Sequence, residues 1–153
     1  MPILCFTTTI NSPIQIVFDA ARSIDAHQGS MAHTREKAIA GRTSGLIELG
    51  ETVTWEARHF GIMQKLTVKI TQMEAPHRFT DEMVRGAFQK FTHTHYFEEI
   101  EPNKTRMIDV FDYKSPLGII GRLADMLFLK SYMTRLLETR NLFLKHQSEG
   151  TIH

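Results

Sequence analysis

Residues 115–145 read S-P-L-G-I-I-G-R-L-A-D-M-L-F-L-K-S-Y-M-T-R-L-L-E-T-R-N-L-F-L-K. Ser115 and Pro116 are a helix start: a side-chain oxygen able to cap free N–H groups, then a ring whose missing N–H costs nothing in the first turn. No proline follows as far as Lys145. The spacing predicts a helix of roughly 45 Å at 1.5 Å per residue. So long an element needs a broad surface to lie on. Its apolar face also turns. Ile119, Ile120, Leu123, Met126 and Leu127 share one side, whereas Leu129, Met133, Leu136, Leu137, Phe143 and Leu144 share another. A bend or break near Phe128–Lys130 is expected, the first part leaning over a rim and the second lying along a sheet. Arg122, Asp125 and Lys130 interrupt the run, so it does not read as a membrane span.

What the helix lies on is read from the segments before it. Ile3–Ile10 is rich in threonine and apolar residues, as a strand is. Asn11-Ser12-Pro13 repeats the helix-start signal, and Ile14, Val17, Phe18 and Ala21 follow at helical spacing. Ile24–Met31 holds room for a second short helix. His33–Gly45 reads as a polar loop leading into a weak strand, Thr43–Glu48. From Gly50 the period becomes two. Val53, Trp55, Ala57 and His59 alternate with Thr52, Thr54, Glu56 and Arg58, and Leu66, Val68 and Ile70 alternate with Lys65, Thr67, Lys69 and Thr71. Gly61 and Ala75-Pro76-His77 punctuate. Phe79–Arg85, Phe88–Ile100 and Thr105–Tyr113 are three further strands, the last two joined by the turn Glu101-Pro102-Asn103-Lys104. Consecutive strands with short turns make an antiparallel meander, which curls and takes the long helix on its concave face.

At 153 residues one core is expected. A composition of 42% hydrophobic and 23% charged residues excludes the disordered classes, and a net charge of +1 with mixed signs gives no basic surface for nucleic acid. One cysteine, Cys5, excludes an internal disulfide and fits a reducing compartment. The opening M-P-I-L-C-F-T-T-T-I lacks the pattern of a signal peptide, so a cytoplasmic location is expected. No phosphate-cradling glycine loop, Ser-His-Asp set or paired-carboxylate signature can be placed, and no cofactor is expected.

The order of elements, together with particular residues, resembles the START-like helix-grip superfamily, also called SRPBCC. The residues are Ile10-Asn11-Ser12-Pro13 before Val17-Phe18, then Leu49-Gly50-Glu51-Thr52-Val53-Thr54-Trp55 with Arg58-His59. Phe79 with Asp81 and Gly86, His93-Thr94-His95 with Phe97, and Met107, Asp109, Tyr113, Pro116 and Gly118 complete the set. The resemblance is to the small bacterial branch described as ligand-binding or polyketide-cyclase-like. It implies an α+β fold: a seven-stranded curved antiparallel sheet gripping a long C-terminal helix, two short helices between strands 1 and 2, and a cavity between sheet and helix. One such domain is expected over residues 1–147, with 148–153 as a frayed tail. Members of the superfamily transport, sense, bind or catalyse on one frame, so function rests on the site.

If each strand turns its more apolar face inward, that face carries Val53, Trp55, His59, Leu66, Val68, Ile70, Phe79, Asp81, Met83, Phe91, His93, His95, Phe97, Met107, Asp109, Phe111 and Tyr113. Most are bulky and apolar, but three histidines, two aspartates and a tyrosine are embedded among them. Titratable groups in such a place pair, stay wet or act. Trp55, His59, Val68, Phe79, Asp81, Met83, Phe91, His93, His95, Phe97, Met107, Asp109, Phe111 and Tyr113, with Leu123 and Leu127 of the helix, are therefore the candidate ligand-binding residues. His93, His95, Asp109 and Tyr113 are the candidates for acid–base work. Three readings of the polar set stand side by side: a satisfied hydrogen-bond network, a His–Asp pair that orients a ligand or moves protons, and a metal held by His93, His95 and His59. Asp81 is expected to pair with Arg85 or Arg58. Three functions follow: binding of a hydrophobic or amphipathic small molecule, cyclase- or dehydratase-type catalysis, or a protein-interaction module with a vestigial cavity. A hydrophobic small molecule is the expected partner; nucleic acid and integral membrane association are not expected.

Overall fold

The computed structural model describes residues 3–115, 120, 123 and 128–150. Seven strands form one antiparallel sheet in the order β1-β7-β6-β5-β4-β3-β2. These are β1 (Ile3–Ile10), β2 (Lys37–Gly41), β3 (Thr52–His59), β4 (Ile62–Glu74), β5 (Arg78–Arg85), β6 (Lys90–Glu101) and β7 (Lys104–Lys114). Two short helices, α1 (Ile14–Ala21) and α2 (Ile24–Ser30), stand between β1 and β2, and α3 (Lys130–Ser148) follows the sheet. This is the expected α+β helix-grip arrangement. Helix α3 packs on α1, α2 and β1, while α1 covers β6 and β7, so the helices close the concave face. Among the described residues, no helix is long and apolar enough to cross a membrane.

The alternation read from the sequence becomes burial. On β7, Thr105, Met107, Asp109, Phe111 and Tyr113 are all buried and the residues between them are not. On β3 the buried positions are Val53, Trp55 and Ala57. The β3–β4 turn uses Phe60 and Gly61, both at positive φ (54° and 74°), between the paired His59 and Ile62. Two positive-φ residues are what a two-residue hairpin loop demands.

Several local readings need correction. The strand expected at Thr43–Glu48 lies instead at Lys37–Gly41, and that later stretch makes only an isolated bridge between Leu46 and Ser23. β2 is an edge strand with exposed side chains and a register shift between Ala38 and Ala40, so no hydrophobic alternation marks it. Backbone pairing with β3 holds it, and Gln28 Oε1 accepts from Ala38 N–H at 2.7 Å. Ser12 does not cap α1: Pro13 occupies the cap position without a side-chain bond, and the Ser12 carbonyl accepts from Thr105 Oγ1 at 2.8 Å. Ser23 does cap α2, accepting from Ala26 N–H at 3.1 Å. Glu149, assigned to a tail, accepts from Asn11 N–H and from Lys145 Nζ, and these donors hold its carboxyl below the usual range. Of the expected bend, Phe128 and Leu129 form a π-helical turn that leads into α3; most of the preceding segment lies outside the described residues.

Candidate functional site

Between the sheet and α3 lies a cavity of about 350 Å³. Its wall is mostly apolar: Trp55, Leu66 and Val68 from β3 and β4, Phe88, Phe91 and Phe111 from the far side, and Leu129, Met133, Leu136 and Leu137 from the helix region. At one end stand His27, Glu36, His59, Gln64 and Tyr132; at the floor stand Asp81, His93 and Arg140. A neighbouring hollow of about 100 Å³ shares Trp55, Val68, Asp81, His93 and Arg140 and adds Phe79 and His95.

The floor is a connected polar cluster. Cross-strand register sets Asp81 opposite His93 and His95 opposite Asp109, so β5, β6 and β7 deliver four titratable side chains to one patch. The bonds run diagonally: His93 Nε2 to Asp109 Oδ1 at 3.0 Å, and His95 Nε2 to Asp81 Oδ2 at 2.8 Å. His95 Nδ1 lies 3.1 Å from Asp109 Oδ1, but off the line of a hydrogen bond. From above, Asn141 Nδ2 donates to Asp109 Oδ2 at 2.8 Å. Arg140 reaches Asp109 Oδ1 at 3.4 Å, Asn141 Oδ1 at 2.9 Å and the Ala21 carbonyl at 3.3 Å. The two imidazoles stack with centroids 3.9 Å apart, and Phe79 stacks on His95 at 4.1 Å. Asp109 is 0% exposed and Arg140 4%.

These surroundings set the charges. Burial works to raise the Asp109 carboxyl, but its contacts with His93 and His95 and the Arg140 guanidinium hold it well below the usual carboxylate range. Burial also opposes ionisation of Asp81, and the His95 bond, with charges from His93, His95 and Arg140, brings it below its ordinary value. Burial, followed by the stacked His95 ring, pushes His93 down to about 4 against the pull of Asp109 and Asp81. His93 is thus a neutral imidazole at neutral pH. With its Nε2–H given to Asp109, the lone pair sits on Nδ1, which has no hydrogen-bond partner among the described residues. At the other end of the cavity His59 Nδ1 and the Tyr132 hydroxyl are 2.6 Å apart; burial lowers the histidine and raises the tyrosine.

No family model matches the chain, and no curated protein matches it. Solved structures do. A Thermus thermophilus protein superposes with a TM-score of 0.78 at 17% identity, over 99% of this chain and 100% of that one. A START superfamily protein from Mycobacterium smegmatis gives 0.74 at 12% identity, over 97% of each chain. The Zhui aromatase/cyclase from a Streptomyces species gives 0.78 at 10% identity, over 99% and 96%. The fold is the START-like helix grip. At these identities the likeness carries architecture alone.

Within the helix grip, the candidate residues divide. Trp55, His59, Val68, Asp81, Phe91, His93 and Phe111 line the larger cavity, and Phe79 and His95 line the smaller. Met83, Phe97, Met107, Asp109 and Tyr113 line neither. Phe97 packs under Phe18 and Phe79, and Met107 and Tyr113 are sealed in the core at 0% exposure, Tyr113 against Phe88 and Phe111. Asp109 acts through the residues it holds. Leu123 is exposed, and Leu127 lies outside the described residues. Asp81 pairs with His95, not with Arg85 or Arg58, because the inward face that buries it also buries the imidazole. His59 does not converge with His93 and His95, being bonded to Tyr132. Sequence reasoning passed over Arg140 and Asn141. The signal was there: Arg140 continues the stripe of Met133, Leu137 and Leu144 at helical spacing.

Proposed function

We propose that the protein binds a compact apolar or amphipathic small molecule in the cavity between its sheet and α3. The observation that carries this reading is a hollow of about 350 Å³ with a mostly apolar wall and a few convergent polar groups at its floor. That volume is at the low end of the roughly 300–1,000 Å³ usual for small-molecule sites. It favours a ring-based or short isoprenoid-like ligand over a long-chain lipid. Apolar contact supplies affinity, and His93 Nδ1 with Arg140 orients a polar end. Native mass spectrometry of gently purified protein tests it. A discrete adduct, displaced by an apolar probe, is expected; an unadducted chain that also takes up no probe overturns the reading.

A second reading, cyclase- or dehydratase-type catalysis, is favoured by one observation: the open nitrogen of His93 backed by ionised Asp109. A neutral imidazole held by a carboxylate is the usual form of a general base. The interaction-module reading requires a collapsed interior, and the hollow speaks against it.

A further inference from the structure

We propose that Asp81, His93 and His95 bind a divalent first-row transition metal ion, of the zinc or iron(II) class, with its free coordination positions turned to the cavity. One ligand atom from each residue lies within 4.8 Å of the other two. Two imidazoles and one carboxylate suit these ions, and a set of three leaves room for water or substrate. Asp81 and His93 line the larger cavity, and all three line the smaller one, so the place is reachable.

The surroundings are those of a ligand set. Metal-bound histidines commonly give their other ring N–H to a carboxylate, which fixes the tautomer. Asp109 is so placed for His93, whose Nε2 lies 3.0 Å from its Oδ1. A proton on that nitrogen leaves a lone pair on His93 Nδ1, which has no hydrogen-bond partner among the described residues. His95 Nε2 lies 2.8 Å from Asp81 Oδ2, close enough for one ion to take both atoms. Atoms 2.8 Å apart, each about 2.1 Å from one ion, subtend an angle of roughly 85° at it, near the right angle between neighbouring ligands of a facial set with open positions. Arg140 is turned to Asp109, Asn141 and the Ala21 carbonyl, not to Asp81. The site needs no organic ligand in order to form, but it takes the His93 Nδ1 that the reading above gives to a ligand's polar end, so a bound ion would meet that end in its place.

The test uses the whole chain, stripped with EDTA and offered zinc(II) alone and cobalt(II) alone. Elemental analysis after gel filtration is expected to find one ion per chain, with visible cobalt bands of an N/O ligand set. In the wild type, ring-nitrogen NMR is expected to move the His93 and His95 signals on zinc addition. Asp81→Asn should weaken binding by more than about 100-fold, beyond the roughly 10–100-fold typical of a supporting group; if that variant fails to fold, the ring-nitrogen shifts decide. No retained ion, or retention with the two ring signals unmoved, overturns the proposal. Probe titration in parallel separates the two readings: probe uptake without metal overturns only the metal site, and metal uptake without probe overturns only the ligand reading.

Discussion

Replacing Asp109 by asparagine removes one negative charge from a place with no water to replace it. Asp109 is 0% exposed and takes contacts from His93, His95, Arg140 and Asn141. An amide of the same shape has one oxygen and one NH2 group. Whichever way it turns, a donor meets another donor, either Asn141 Nδ2 or the His93 and Arg140 side. Arg140, 4% exposed, keeps its charge and loses its carboxylate. Stranding one member of a buried pair costs about 3–5 kcal/mol. At about 2–4 °C per kcal/mol for a chain of this size, the midpoint should fall by roughly 6–20 °C. Urea unfolding followed by circular dichroism measures the free energy directly. A double substitution, Asp109→Leu with Arg140→Met, should lose much less than the sum of the two singles, since it strands no charge. A loss below about 1 kcal/mol for Asp109→Asn, or additive losses in the cycle, would refute the claim that this carboxylate anchors the cluster.

Acid should weaken the EDTA-treated fold before its carboxylates titrate. His93 is held down at about 4 from 6.5, so the unfolded chain takes that proton first. The stability of the neutral ring is fully present above about 6.5 and lost as pH falls towards 4, to about 3 kcal/mol, and His93→Gln should flatten that limb of the stability–pH curve. Below it, protonation of Asp81 and Asp109, both depressed, removes more. Gly41→Ala should cost about 2 kcal/mol or more in urea unfolding. Gly41 has φ +72°, and an added Cβ would sit 2.3 Å from the Thr52 carbonyl oxygen. Leu136→Trp, which fills the cavity from α3, should cut apolar-probe affinity at least roughly tenfold in fluorescence titration while changing stability by less than about 1.5 kcal/mol.

How much of this was legible depended on whether burial leaves a period in the chain. β3, β4, β6 and β7 each carry residues on an inner face, so alternation announced them. β2 does not: Lys37, Ile39 and Ala40 are exposed, and its bonds are backbone to backbone. The inward aspartates and histidines were readable as a face but not as pairs. Register sets Asp81 opposite His93, yet side-chain length sends each imidazole to the carboxylate on the diagonal. Arg140 stood on the apolar stripe of α3, which marked it as inward-facing but did not name its partner. A buried Asp109 demands a countercharge, and the one available came from a helix 31 residues further on, a separation local patterns do not span. Glu36 and His27 meet at 2.9 Å for a similar reason, across the α2–β2 connection.

The account depends on the hollow accepting a guest, and the chain contains its own reporter. Trp55 is the single tryptophan, and it lines the cavity. Excited at the indole and titrated with N-phenylnaphthylamine, the protein should show Trp55 emission passing to the probe, saturating at one probe per chain. Leu136→Trp, with a second indole in the way, should not saturate in the same range. Unchanged Trp55 emission up to the solubility limit of the probe would mean that the space between sheet and helix does not bind, and would contradict the account.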